Sequence, residues 1–119
     1  LAALLATLPG GDLDYDRRER GTPVEADRGA ALAEVRRLAG ALGALDDDLD
    51  DPLRLTALVS PDLPAVELTT TVGRELAFVL SHTVHHNAVV AVIAAAVGAA
   101  APPGFGYAPA TLAHRGAAA

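Results

Sequence analysis

No cysteine, lysine, methionine or tryptophan occurs among the 119 residues. Without cysteine there is no disulfide, no thiolate metal ligand and no cysteine nucleophile. Any metal must be held by imidazole and carboxylate. Without lysine there is no phosphate-binding G-K-[ST] loop, and all nine bases are arginine against fifteen acids, a formal net charge of −6. An acidic chain with no basic stripe is poorly suited to neutralising phosphates, so no nucleic acid is expected as a partner. The same balance argues against docking on an anionic membrane. Aromatics make up only 3% of the chain, so a core must come from Ala, Leu and Val, which leans the composition toward helices.

Long apolar runs are also scarce. The longest stretch free of charged and polar side chains, Ala88 to Pro103, is shorter than the roughly 20 residues a bilayer requires and contains Gly98 and two closing prolines. The opening LAALLATL has no basic leader. A cytoplasmic protein with no membrane partner is expected. Arginine without lysine, with much Ala, Gly and Pro, suggests a bacterial-type, GC-rich coding sequence. A start at Leu1 rather than Met, with LAALLATL resembling the last two turns of an apolar helix, suggests a fragment entered inside an element.

What is present is dominated by helical periodicity. Residues 1–8 form a helix end stopped at Pro9-Gly10-Gly11. A polar connection without periodicity follows over 12–25, its charges alternating in sign from Asp14 to Arg20 and Gly21-Thr22-Pro23 marking a turn. Over 26–45, Ala31, Leu32, Val35, Leu38, Ala39 and Leu42 follow an i, i+3, i+4 rhythm. The acidic run Asp46 to Asp51 and Pro52 terminate it. Leu53 to Val59 and Val66 to Thr69 partly alternate around Ser60-Pro61-Asp62, which predicts a hairpin or two extended segments. A long helix follows over 72–97, with Thr71 as its N-cap, and 98–119 form a loop, a short helical turn and a loose tail.

Ser81-His82-Thr83-Val84-His85-His86-Asn87 is the segment that bears chemistry. Residues four apart share a helix face, so His82 and His86 can present two imidazoles to one divalent ion. Glu75, seven residues before His82, is a candidate ligand, second-layer partner or general base. His85 points about 100° away from His86. The alternative is a polar seam of imidazoles bonded to backbone or water.

ELAFVLSHTVHHNAVVAVIAA followed by PPGFGYAPATLAHR resembles the last helix and tail of the DinB-like family. That resemblance implies an all-α, antiparallel four-helix bundle, here N-terminally incomplete. Residues 1–8 would end its second helix, 26–45 would be its third and 72–97 its fourth, with the β-like excursion between the last two. It also implies a three-histidine metal site, with His82 and His86 as two ligands, a third missing upstream of Leu1, and His85 beside them. Zinc is the expected ion, with nickel, iron or manganese as alternatives. The implied activity is hydrolase-like or low-molecular-weight-thiol transferase-like, on a small-molecule substrate. A non-catalytic binding or interaction module with structural histidines is the competing expectation.

Other features carry less. Arg17 or Arg20 can clamp a substrate carboxylate or phosphate; the alternative is a solvated loop of mixed charge. A calcium loop starting at Asp46 would need Gly sixth and Glu twelfth, where Asp51 and Ala57 stand. Gly104-Phe105-Gly106-Tyr107 packs a loop, and His114 lies on the surface. Neither Ser60 nor Ser81 sits in a nucleophile elbow. Apolar faces left by missing helices predict self-association, with a homodimer as its simplest form.

Overall fold

The computed structural model describes residues 1–8, 10–46 and 49–117. Pro9, the Asp47-Asp48 part of the acidic run and the last two alanines lie outside the described residues. The elements are α1 (Ala2–Thr7), β1 (Asp12–Asp14), α2 (Pro23–Ala26), α3 (Arg28–Gly43), β2 (Pro52–Ala57), β3 (Val66–Thr71), α4 (Val72–Ala96) and α5 (Pro109–Ala117). They form two compact units, Leu1–Leu76 and Ala77–Ala119, with α4 running through the boundary.

The first unit is built on a three-stranded sheet in the order β1-β2-β3. β2 and β3 are antiparallel, with Leu55 opposite Leu68; β1 lies parallel to β2, with Leu13 opposite Leu55. Strand side chains alternate between faces. Leu13, Leu53 and Leu55 are therefore buried together, while Asp12 and Arg54 lie on the other face. Leu4 of α1 and Val72 at the start of α4 complete the buried hydrophobic set.

Short polar devices fix the ends of this sheet. The Asp14 carboxylate accepts from the amides of Asp16 and Arg17, turning the chain away from β1. Asp16 in turn accepts from the Leu58 amide at 2.9 Å, just past β2. Gly73 donates to the Leu49 carbonyl at 2.7 Å, and a Cβ there would stand 3.0 Å from that oxygen. Glycine permits this close approach. Asp27 caps α3 by accepting from the Ala30 amide.

The second unit holds most of α4, a loop and α5. Phe105 and Tyr107 amides close successive turns onto Pro102 and Gly104. Gly106, at φ 80°, lies so close to α4 that a Cβ would be 2.6 Å from Ala88 Cα. Arg115 covers the Tyr107 ring at 4.2 Å, a cation–π contact. By length and composition α4 is one helix long and apolar enough to cross a membrane.

The expected all-α four-helix bundle is therefore incorrect: the chain combines a mixed sheet with helices. The error has a local origin. Residues 12–14 read as part of a polar connection, yet Asp12-Leu13-Asp14 is a strand pairing some forty residues ahead with Arg54-Leu55-Thr56. That pairing turns an excursion between helices into the scaffold of a unit.

Candidate functional site

Glu75 is the one fully buried charged side chain among the described residues. It stands in the first turn of α4, where the helix dipole favours a carboxylate. Its Oε2 accepts from the Tyr15 hydroxyl at 2.8 Å, and its Oε1 accepts from Thr70 Oγ1 and Arg74, both at 2.7 Å. Burial alone would push the carboxyl pKa up. The hydrogen bonds from Thr70, Tyr15 and Arg74 outweigh it and hold the group below the usual carboxylate range. Tyr15 is shifted the opposite way, upward, by burial and by its bond to the carboxylate. Glu75 thus ties the chain after β1, the end of β3 and the start of α4 around one charge. Three donors occupy its oxygens, which suits it to holding the unit together.

A groove of about 610 Å³ opens on the same unit, lined by Ala3 and Thr7 of α1, Asp12 and Asp14 of β1, Arg17, Arg54 and Thr56 of β2, and Glu67 of β3. Strand register makes this lining. Asp12 stands opposite Arg54, and Asp14 opposite Thr56, which in turn faces Glu67. Arg54 Nε lies 2.6 Å from Asp12 and Arg17 Nε 3.3 Å from Asp14. The Asp12 interactions raise the Arg54 pKa, its hydrogen bond first and its charge second. Both arginines stay mostly exposed, 88% for Arg17 and 66% for Arg54. Exposed pairs of this kind contribute only ~0–1 kcal/mol, so either guanidinium can leave its aspartate for a better acceptor.

The histidines lie in the second unit. His82 and His86 do share a helix face, with their Nε2 atoms 3.0 Å apart in a mutual hydrogen bond. Their rings meet edge to face at 4.5 Å, and His85 stands beside both. Among the described residues no group of three or more His, Asp or Glu side chains converges to hold a metal ion. Two imidazoles whose nitrogens bond each other fall short of the three protein ligands an open zinc site keeps. The reading of a metal-dependent hydrolase or thiol transferase, with its zinc, metal-binding and four-helix-bundle attributes, is corrected on that ground.

Of the other residues singled out in the sequence, Arg17 lines the groove and Arg20 does not. Glu75 belongs to the sheet unit and the histidines to the helical one. His114 lies exposed in α5. Sequence reasoning passed over Tyr15, Asp12, Asp14, Arg54 and Glu67. The signal for Asp12 and Asp14 was the alternation around Leu13; for the others, strand register alone brings them together.

The chain is 35% identical over 104 residues, 86% of its length, to FK506-binding protein 5 of the fungus Rhizopus delemar. The matched stretch spans 27% of that relative, about a quarter of its length. No family model matches the chain, and no solved structure matches it. The resemblance to the DinB-like family is thereby overturned as well: the similarity found lies with a protein of another name, and the sheet has no place in a helical bundle.

Proposed function

We propose that the chain is a ligand-binding module whose site is the polar groove of the sheet unit, and that it takes a small peptide-like ligand. The groove itself carries the reading, since it gathers Arg17 and Arg54 with Asp12, Asp14, Thr56 and Glu67 around about 610 Å³. That volume falls within the ~300–1,000 Å³ of small-molecule sites. Two guanidinium groups in weak, exposed pairs offer forked donors to a ligand carboxylate or carbonyl. Three carboxylates and a threonine hydroxyl accept from ligand amides or an amine. The lining therefore matches a molecule carrying donors and acceptors along its length, as a peptide does.

The relative's name, FK506-binding protein, is that of a binding protein, and it supports a binding role here without fixing the ligand. FK506 is accordingly the first compound to test, beside a short peptide with a free carboxylate. Calorimetric titration of each into the chain, Arg17→Ala and Arg54→Ala is the experiment. Saturable binding weakened about tenfold or more, on the order of 1.4 kcal/mol, in either variant supports the groove. Binding that both variants leave unchanged, or no binding of either compound, counts against it.

A further inference from the structure

Within the helical unit, α4 is apolar on more than one side, with Val90 and Ile93 exposed as well. Val84, Asn87, Ala88, Ala91 and Ala94 are half-buried, and the glycine of the loop at 106 sits against this side, at Ala88. The other side has Phe78, His82, His85, Val89, Val92 and Ala96, all exposed. Their spacing is four, three, four, three, four. That is the seam of a coiled coil, where apolar positions recur every 3.5 residues on average. The side chains do form one line: the Phe78 and His82 rings stack at 5.7 Å, and those of His82 and His85 at 6.4 Å.

We infer that this seam pairs, antiparallel, with the same seam of a second copy of the chain. The stripe is self-complementary about a two-fold axis passing level with residue 87. Phe78 then meets Ala96 of the other copy, a large residue against a small one. His82 meets Val92, and His85 meets Val89, so no imidazole faces its own counterpart. Such an isologous arrangement closes into a dimer and goes no further. Between Phe78 and Ala96 there is no Asp, Glu or Arg, so no fixed charge is desolvated. At ~1.5 Å per residue the seam runs about 27 Å. With its flanking side chains it buries on the order of 1,000 Å² in total, the size a specific interface requires.

A bilayer is the less fitting occupant of the same face. Ser81, His82, Thr83, His85, His86 and Asn87 fill the middle of α4, and would lie at the hydrocarbon centre, where polar groups are costly. Between two helices each seam histidine instead packs its ring against a valine, and His82 keeps its Nε2 bond to His86.

Sedimentation velocity across a concentration series, on the full chain, tests the pairing. The expected result is a species of twice the 12.1 kDa chain mass. Val89→Glu and Val92→Glu should reduce it to a monomer with unchanged circular dichroism, because both positions are exposed in the single chain. Leu80→Glu, on the opposite side and 55% exposed, should leave the dimer intact. Mixing Phe78→Cys with Ala96→Cys chains should give a mixed disulfide in this otherwise cysteine-free protein. A wild-type monomer throughout, a dimer indifferent to the seam variants, loss in all three glutamate variants alike, or same-position disulfides would each overturn the inference. So would flotation of the chain with phosphatidylcholine vesicles.

Discussion

The two units reach order by different routes. The sheet unit buries, among the described residues, five hydrophobic side chains, drawn from α1, β1, β2 and the start of α4, around one satisfied carboxylate. Among its described residues the helical unit buries none, though Val89, Val90, Val92 and Ile93 crowd one helix. Apolar content is thus a poor guide to where the core lies. Three strands with a few leucines in register enclose a small core completely. A helix apolar over much of its surface needs covering, and the loop at Gly106 supplies part of it at Ala88.

Substitutions sharpen that contrast, beginning with the core. Leu55→Ala should cost about 2–5 kcal/mol, a buried leucine leaving a cavity, whereas Val92→Ala in a dilute monomer should stay within about 0.5 kcal/mol. Urea melts read both. Equal losses would mean that the helical unit has an interior of its own.

Glu75→Ala should come next, at about 2–4 kcal/mol, since the half-buried Tyr15 and Thr70 hydroxyls lose their acceptor, each in the lower part of the ~1–3 kcal/mol range. The pH dependence has a defined sign. Glu75 is held below the usual carboxylate range in the folded state. Its contribution is therefore present above the ordinary glutamate pKa and lost as pH falls through the depressed one. Tyr15 is raised from 10.0, so its contribution is present below that value and lost as pH climbs through the raised one. Thermal melts across pH should show both limbs in the wild type, and Glu75→Gln should flatten the acid limb. An acid limb identical in the variant would remove Glu75 from the account.

Gly106→Ala should destabilise the helical unit by about 1–3 kcal/mol, through left-handed backbone strain and the contact with Ala88. Amide exchange should show that loss confined to residues beyond 77; a loss in the strands instead would contradict the division into two units. The smallest effect is expected from zinc. A pair of imidazoles with no third ligand should give no saturable binding at micromolar concentration. Calorimetry beside His82→Ala and His86→Ala checks it, and micromolar binding abolished by both substitutions would restore an ion to α4.

The legible parts of the sequence were those whose signals are local. Partial alternation around Ser60-Pro61-Asp62 marks the segments that form β2 and β3, and the leucine and valine rhythm after Ala26 marks the stretch that forms α3. The facing of His82 and His86 follows from helix geometry alone. β1 escaped because three residues give almost no periodicity, and its partner lies some forty residues away. Without β1 the sheet is a hairpin and the groove has no wall. The shared helix points Glu75 toward the histidines in the sequence. One of its three partners, Tyr15, is sixty residues distant in a segment that reads as a loop of mixed charge.

Amide hydrogen exchange at two protein concentrations tests the central contrast most directly. Slow exchange in Arg54–Ala57 and Val66–Thr71 should be independent of concentration, because the sheet unit holds its own core. Protection from Phe78 to Ala96 should rise with concentration as the exposed seam is covered. Strand amides that exchange freely, or protection of α4 that is equally high at both concentrations, would contradict the account.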